Sequence, residues 1–293
     1  MILKIVWGAS LFVFVCFCLS CSRSAQAQVP SPGNPRPSAA GSGISTEVSL
    51  PSGNPQNKEN FIEDFWSGSF ARAGLPDSLK EKIIANLTQG PDFVMELLTV
   101  LESDPYLYLL VDKQHSLSPD YAPEDLVELV NGSYRVSREG LMLRRAAAES
   151  LEAMARAARL EGVTLTAAST YRSYQYQVEV YDRNVRQMGQ QAADRESARP
   201  GYSQHQLGLI VDFYPIDDSF SVSPASAWLQ KNAALFGWSL SFPEGYEDLT
   251  GYRWESWHYR YLGRDLTAFT DKYFDGIQQY ALQFILAWLE ATD

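Results

Sequence analysis

The placement of the cysteines is the feature that most limits how this chain can fold. All three, Cys16, Cys18 and Cys21, lie near the N-terminus of the 293-residue sequence. The rest of the chain therefore has no disulfide framework and no cysteine-based zinc site. A hydrophobic core must hold the fold instead, and 45% of the residues are hydrophobic. Any metal ion in the folded part must be bound by His, Asp or Glu.

Residues 1–21 have the pattern of an export signal. Lys4 supplies a positive charge, and residues 5–19 are almost wholly apolar. A run this short is typical of a signal core and not of a membrane-spanning helix. The pattern predicts export to the periplasm or the cell surface.

The end of this signal has two interpretations. Ser20 before Cys21 resembles a bacterial lipobox, which would put a lipid on Cys21 and anchor the protein to the membrane. Cys18 stands where that motif usually has leucine. The alternative is ordinary cleavage after Ala27, which predicts export without the anchor.

Composition separates a linker from the folded part. Residues 22–60 are rich in Pro, Ser, Gly and Asn, which predicts a disordered linker. The formal net charge is −11. Because phosphate binding needs a basic face, this charge argues against nucleic acid as the main partner.

The remaining chain predicts an α+β fold, with helices beside a small antiparallel sheet. Apolar spacing indicates a helical extension over residues 61–106. A mixed domain follows over 107–268, and an amphipathic C-terminal helix over 269–293. In the mixed domain, Gly162 is expected to end a helix and Ser173 to begin one. Strands are expected at 107–111, 163–168, 207–214 and around 257–259.

The first segment with chemical potential contains His205 and Asp212. They are seven residues apart, a spacing that would send them to opposite faces of one continuous strand. Gly208 between them allows a turn, so that both side chains can converge. Asp212 follows a run that reads as buried, where a carboxylate is costly unless it is paired or metal-bound.

The second segment contains Glu255 and His258. They are three residues apart. Glu255 directly follows Trp254, and His258 directly follows Trp257. These aromatic side chains would exclude water from a pocket and strengthen the electrostatic interactions inside it.

Together the two segments supply the parts of a hydrolytic metal site. Two imidazoles and one carboxylate, from His205, His258 and Asp212, form a three-ligand zinc set with a fourth position open to water. Glu255 is left over and suits a general base for metal-assisted hydrolysis. Each segment alone is a weak signal, but their conjunction is specific.

These segments closely resemble those of the zinc D-Ala-D-Ala carboxypeptidases, the family of the vancomycin-resistance D,D-peptidases and the related L,D-carboxypeptidases. The resemblance covers about residues 107–264. Its motifs are Ser203, His205, Gly208 and Asp212; then Glu255, Trp257 and His258; the loop Tyr171-Arg172-Ser173-Tyr174 with Gln177; and an upstream pattern that includes Lys113, His115, Asp120 and Tyr121.

The resemblance implies roles for the metal-binding and catalytic residues. Zn²⁺ would be held by His205, Asp212 and His258, with Glu255 as the base. Arg172 would stabilise the oxyanion, because a fixed guanidinium beside the developing charge lowers its energy. A surface ion pair is the alternative for Arg172.

It also implies contacts with the substrate. Gln177 would hydrogen-bond the substrate backbone, Ser203 would lie near the terminal residue, and Trp257 would line the binding site. Ser203 could instead only cap a loop. His115 is expected to be a structural histidine hydrogen-bonded under the site and not a ligand.

The expected function is a zinc carboxypeptidase that removes the C-terminal D-alanine from peptidoglycan stem peptides, with D,D- or L,D-specificity left open. Two alternatives use the same residues. One is a non-catalytic protein that binds wall peptides, and the other is a cell-wall endopeptidase. Glu255 and Arg172 count against the first, because binding alone has little need of a base.

Overall fold

The computed structural model describes residues 2–7, 11–12, 45–49 and 55–292, with side chains for residues 60–291. The chain divides into two compact units, Met1–Ser67 and Gly68–Asp293. The larger unit contains every residue expected to act in chemistry.

The smaller unit contains a three-stranded sheet. Strand β1 (Ile2–Trp7) pairs antiparallel with β2 (Leu11–Phe12) and parallel with β3 (Ser45–Ser49). Helix α1 (Pro55–Arg72) begins in this unit. The lipobox at Cys21 and the alternative cleavage site lie outside the described residues.

These elements correct the predicted linker. The strand β3 and the start of α1 both fall within residues 22–60, so this segment is not disordered throughout. The helix begins at Pro55, six residues before the expected start of order at Phe61. Proline suits the first position of a helix, because its fixed φ is already helical and the N–H it lacks would have no partner there.

The helical extension is present. It consists of α1, α2 (Asp77–Gln89) and α3 (Asp92–Glu102), and Gly90 caps the end of α2 in an extended conformation. Helix α3 buries Phe93, Val94, Leu97 and Val100. The aromatic ring of Phe93 has its centroid 4.8 Å from that of Tyr273, which joins the extension to the C-terminal part of the chain.

The larger unit confirms the α+β prediction. Its strands are β4 (Leu126–Glu128), β5 (Arg135–Val136), β6 (Met142–Arg144), β7 (Thr166–Ser169), β8 (Ile210–Phe213), β9 (Trp238–Leu240) and β10 (His258–Tyr261). The main sheet has the order β5-β7-β8-β10-β9, and β4 pairs with β6 separately. All neighbours in the main sheet are antiparallel except β5 and β7.

Helices and short 3-10 helices surround this sheet. They are α4 (Arg145–Leu160), α5 (Tyr174–Met188), α6 (Gln190–Glu196), the 3-10 helix Gln204–Leu207, the 3-10 helix Asp218–Val222, α7 (Pro224–Asn232), the 3-10 helix Ala233–Phe236, α8 (Glu247–Thr250), α9 (Arg264–Phe274) and α10 (Gln278–Thr292). Gly162 follows α4 with φ 78°, and the hydroxyl of Ser173 accepts from the Tyr176 N–H at the start of α5. Both boundaries agree with the prediction.

Helix α4 supplies much of the core beneath the sheet. Leu151, Met154 and Ala158 are fully buried, together with Leu143 just before the helix. Burial of a leucine or methionine side chain stabilises a fold by about 1.5–3 kcal/mol. The regular apolar spacing of this helix therefore fixes the layer on which the sheet rests.

The prediction of a strand at residues 107–111 is wrong. This segment is irregular, and the carbonyl oxygens of Leu107 and Leu109 accept hydrogen bonds from the Arg260 guanidinium at 3.0 and 2.8 Å. Leu110 and Val111 are buried as expected, but a side chain and not a neighbouring strand satisfies the backbone.

The prediction of a single C-terminal helix over 269–293 is also wrong. Helix α9 ends at Phe274, and α10 begins at Gln278. Asp275 and Gly276 between them have φ values of 52° and 77°, which no helix can contain. Helix α9 also begins before the expected boundary at residue 268.

Among the described residues, no helix is both long enough and apolar enough to cross a membrane.

Candidate active site

The antiparallel pair β8 and β10 positions two of the expected metal ligands. Asp212 and His258 lie directly opposite each other in the strand register, so their side chains project from one face of the sheet. His258 Nδ1 is 3.0 Å from Asp212 Oδ1. Pairing of the strands thus brings together residues that are far apart in sequence.

A tight turn brings in the third candidate ligand. His205 lies in the 3-10 helix Gln204–Leu207, which ends at Gly208 with φ 70°. A Cβ atom at Gly208 would lie 2.9 Å from Leu126 Cδ2, so both the backbone conformation and the close packing require glycine. After this turn His205 Nε2 lies 3.1 Å from Asp212 Oδ2.

The three side chains fit a metal ion. One ligand atom from each of His205, Asp212 and His258 lies within 4.8 Å of the others, and all three residues are buried. Ligand atoms in a tetrahedral zinc site are roughly 3.3–3.5 Å apart, and the two histidine nitrogens lie 3.1 and 3.0 Å from the oxygens of Asp212. Asp212 Oδ1 is fully buried, and although His258 Nδ1 lies 3.0 Å away, this oxygen accepts no hydrogen bond of good geometry from any described residue. This unused acceptor is available to a cation.

The backbone sets the tautomer of His205. Its Nδ1 lies 2.6 Å from the carbonyl oxygen of Thr170. Because a carbonyl can only accept, Nδ1 must carry the proton, and the lone pair of Nε2 faces Asp212. A hydrogen bond of this type orients an imidazole for metal binding.

Burial and neighbouring charges shift the pKa values of the two imidazoles in opposite directions. Burial and the nearby Arg172 lower the pKa of His205 to about 4. Burial also disfavours protonation of His258, but Asp212 and Glu255 outweigh it and raise the pKa of His258 to about 9. Burial would raise the pKa of Asp212, but the two histidines hold it well below its usual range.

Glu255 lies beside the cluster. Its Oε2 is 3.3 Å from His258 Nδ1, the side chain is buried, and it lines the cleft that opens from the cluster. Burial raises the pKa of this carboxyl group. A carboxylate with a raised pKa accepts protons near neutral pH more readily than an exposed one, which suits a general base.

Arg172 is held in place from two sides. Its Nη2 donates to Asp212 Oδ2 at 3.0 Å and to Ser169 Oγ at 2.8 Å, and its Nε also donates to Ser169 Oγ. Nη1 has only a long contact of 3.5 Å with Gln177 Oε1. One arm of the guanidinium therefore remains for a substrate oxygen.

The structure places Gln177 differently from the prediction. Its side chain is 1% exposed and is absent from the cleft lining. Its amide donates to the carbonyl of Ala198 at 2.7 Å, and its oxygen faces Arg172. Because these contacts occupy the amide, Gln177 supports Arg172 and the segment after α6 and has no exposed group for a substrate backbone.

Ser203 and Trp257 both line the cleft. The cleft has a volume of about 310 Å³ and reaches from the metal-ligand cluster to α5. The two residues are largely buried in its walls. The structure therefore brings them to the surface that a substrate would contact.

His115 lies outside the cluster. Its Nδ1 is 2.8 Å from Asp112 Oδ1, and its side chain is 41% exposed. It is hydrogen-bonded as expected, but it does not lie buried under the site. Among the described residues, the group that could hold a metal is formed without it.

Sequence patterns missed several supporting residues. Ser169 orients Arg172, and the backbone carbonyl of Thr170 orients His205. Both directly precede the Tyr171-Arg172 motif, and this adjacency was the available signal for Ser169. No side-chain pattern can identify a carbonyl contact. Phe242, whose ring centroid is 4.7 Å from that of His258, was also missed.

Comparison with known proteins identifies what the site resembles. A family model described as VanY, D-alanyl-D-alanine carboxypeptidase, matches residues 140–264. This range includes all three candidate ligands, Glu255 and Arg172.

Two curated proteins illustrate the similarity. The chain is 33% identical over 198 residues to the putative carboxypeptidase YodJ of Bacillus subtilis, a match that covers 62% of this chain and 72% of that protein. It is 33% identical over 178 residues to a D-alanyl-D-alanine carboxypeptidase of Enterococcus faecalis, covering 58% of this chain and 62% of the relative.

Two solved structures share the fold. The LdcB LD-carboxypeptidase is 33% identical with a TM-score of 0.53, and the match covers 59% of this chain and 83% of that one. A mutant of the vancomycin resistance D,D-pentapeptidase VanY in complex with Zn(II) is 29% identical with a TM-score of 0.51. That match covers 60% of this chain and 99% of the other.

Proposed function

The chain belongs to the VanY family of D-alanyl-D-alanine carboxypeptidases, and from this membership we propose that it is a zinc-dependent enzyme that removes the C-terminal D-alanine from peptidoglycan stem peptides. One observation carries the proposal. Two imidazoles and a carboxylate converge within 4.8 Å at the buried end of a cleft that Glu255 and Arg172 also line.

Zinc fits the donor set of His205, Asp212 and His258, and a relative's structure contains Zn(II). When bound there, zinc would polarise the scissile carbonyl and lower the pKa of a water to ~7. The cluster contributes one negative charge from Asp212, so the bound ion would retain net positive charge for this work.

Glu255 is proposed to move the protons of the reaction. It takes a proton from the attacking water and then gives it to the nitrogen of the leaving D-alanine. Burial helps both steps, since a raised pKa makes the carboxylate a stronger base and leaves the protonated form accessible.

Arg172 is proposed to donate a hydrogen bond to the carbonyl oxygen as it becomes negative. Its contacts with Ser169 and Asp212 hold the guanidinium before substrate arrives, so little reorganisation is needed during reaction. Ser203 and Trp257, in the cleft wall, are proposed to orient the terminal residue of the substrate.

The cell wall is the proposed site of action. The apolar run and Cys21 near the N-terminus support export and a lipid anchor. Metabolic labelling with a radioactive fatty acid, with Cys21→Ser as the comparison, tests the anchor. Loss of label in the variant supports it, whereas an unlabelled wild-type protein refutes it.

Mass spectrometry of products from defined tetrapeptide and pentapeptide stems tests the activity. We expect release of one D-alanine, loss of activity with a chelator and recovery with added zinc. A product shortened from the pentapeptide indicates D,D-specificity, and one shortened from the tetrapeptide indicates L,D-specificity. Separation of cross-linked stems would identify an endopeptidase, and intact stems in every reaction would refute hydrolysis.

A further inference from the structure

The cleft is lined by three arginines, and two of them already have acidic partners. Arg172 contacts Asp212 at 3.0 Å. Arg253 contacts Glu196 and Asp218, each at 2.6 Å. The charges of both guanidinium groups are therefore largely neutralised within the protein.

Arg183 is the third arginine, and its charge is not neutralised in this way. It lies on α5, its side chain is exposed, and it lines the cleft next to Asn184. Within residues 60–291, no carboxylate lies within 4.0 Å of its guanidinium. A free cation at the cleft stands out in a protein with a net charge of −11.

The position of Arg183 along α5 indicates which part of a substrate it can contact. Gln177, near the start of the helix, touches Arg172 beside the metal-ligand cluster. Six residues separate it from Arg183, which corresponds to about 9 Å along a helix axis. Two to three residues of an extended peptide span the same distance, at roughly 3.3–3.6 Å each.

The direction of the cleft agrees with this placement. The ligand cluster is buried, whereas Arg183 and Met188, further along α5, are exposed. A carboxypeptidase must place the terminal residue beside the reacting groups, so the upstream part of the peptide must leave toward the open end. Arg183 thus lies on the upstream side.

We propose that Arg183 is a specificity-determining residue that binds a carboxylate carried by the substrate two or three residues upstream of the scissile bond. The inference rests on the proposed function. A pentapeptide stem offers two such groups: the side-chain carboxylate of a diamino diacid at the third position and the free α-carboxylate of a γ-linked glutamate at the second. In a tetrapeptide stem, only the second-position carboxylate lies at this distance. Cells that amidate these groups would make stems that the enzyme cleaves less well.

The test compares kcat/KM for four matched stems of equal length. One carries both upstream carboxylates, two have one of them amidated, and one has both amidated. For the wild-type protein we expect the stem with the recognised carboxylate to be cleaved roughly fivefold to tenfold better than its amide, mainly through KM. The preference should shrink as salt is added, because the contact is exposed.

Substitutions assign the preference to one side chain. Arg183→Gln should reduce the acid-to-amide ratio to near one, and Arg183→Glu should reverse it. Arg186→Gln removes a charge from the same helix without touching the cleft lining and should keep the wild-type ratio. The singly amidated stems identify which of the two carboxylates is bound.

Two results would overturn the assignment while leaving the proposed function intact. One is an unchanged acid-to-amide ratio in Arg183→Gln. The other is an equal loss on all four stems, which would place Arg183 on the terminal carboxylate. Absence of cleavage by the wild-type protein is a different result, because it would refute the proposed function and this assignment with it.

Discussion

At the residue scale, Asp212 is the centre of the site. It lies within 3.1 Å of His205, His258 and Arg172, and it is 2% exposed. A carboxylate so placed serves two purposes, because it can hold a cation and it also fixes the guanidinium expected to meet the substrate. Glu255, by contrast, contacts only His258 within this group and is free to exchange protons.

Glu255→Ala separates proton transfer from metal binding. We expect kcat to fall by about 10²–10⁴, the usual contribution of a general base, while zinc content stays at one ion per chain. Metal analysis of the dialysed protein and rates on stem peptides measure the two effects. Glu244→Ala removes an exposed carboxylate from a nearby segment and serves as control. Near-normal turnover in Glu255→Ala would show that Glu255 is not the general base.

Arg172→Lys tests whether the shape of the guanidinium matters. A lysine keeps the charge but cannot contact Asp212, Ser169 and a substrate oxygen at once. We expect kcat to fall by roughly 10²–10³, with a smaller change in KM. Arg186→Lys should behave as wild type. A loss confined to KM would show that Arg172 binds the ground state of the substrate instead.

At the element scale, the turn after the 3-10 helix decides whether the ligands meet. Without Gly208, His205 and Asp212 would follow one strand and point to opposite faces. The turn also places the Gly208 carbonyl where it accepts from the Arg144 N–H at 2.8 Å, so the segment is attached to the end of β6.

Gly208→Ala should therefore lower the free energy of unfolding by more than backbone strain alone would. A left-handed residue other than glycine costs roughly 1–2 kcal/mol, and the added Cβ would also meet Leu126 at 2.9 Å. Gly140→Ala is a matched control, because Gly140 has φ 74° and nothing within 4 Å of its Cβ position. Urea denaturation should show the larger loss in free energy of unfolding for Gly208→Ala, together with weaker zinc binding. Equal losses would contradict a packing role for Gly208.

Elements that are determined by neighbouring residues in the sequence could be predicted. The apolar period of α4, the cap at Ser173 and the turn at Gly208 all depend on nearby residues, and the structure agrees with each. The strand expected at 107–111 failed because its backbone partner is the side chain of Arg260, more than 150 positions away. Apolar runs alone do not distinguish a strand from a buried irregular segment.

The candidate site divides in the same way. Spacing, residue type and family resemblance predicted that His205, Asp212 and His258 would converge, and the structure brings these side chains together. The burial of Gln177 could not be predicted, because it depends on a hydrogen bond to the carbonyl of Ala198, which follows α6. The break between α9 and α10 was missed because the apolar pattern was followed across Asp275-Gly276, although this dipeptide is typical of turns.

At the scale of the whole molecule, the C-terminal helices are part of the folded unit and not an appendage. Gln279 on α10 donates to Asp112 Oδ2 at 2.8 Å, and Asp112 also accepts from the backbone of Gln114 and His115. The family model covers residues 140–264, so this contact joins two segments that both lie outside the matched range.

Acid should weaken this link. Burial would raise the pKa of Asp112, but hydrogen bonds from Gln114, His115 and Gln279 outweigh it and lower the pKa below its usual value. A lowered pKa in the folded protein means that the stabilisation is complete above the unfolded pKa of ~3.9. It is then lost as the pH falls through the folded pKa.

Asp112→Asn measures that contribution. We expect the variant to be less stable than wild type by about 1–2 kcal/mol at pH 7, with the gap closing as the pH falls below the unfolded pKa of ~3.9. Urea denaturation across this range gives the difference directly. Asp120→Asn changes an exposed carboxylate on the same segment and should show no such closing gap. A constant difference at all pH values would mean that the charge of Asp112 has no part in stability.

The direct opposition of Asp212 and His258 on β8 and β10 also affects how the protein would behave when stripped of its ion. An ion held by both side chains would cross-link the two strands at the middle of the main sheet, so its binding free energy would add to that of folding. At a free concentration 100-fold above Kd this linkage amounts to about 2.7 kcal/mol. Amide hydrogen exchange along these two strands would then be slower in the loaded protein than after chelation. Storage in chelating buffers would make the preparation prone to unfold from its centre outward.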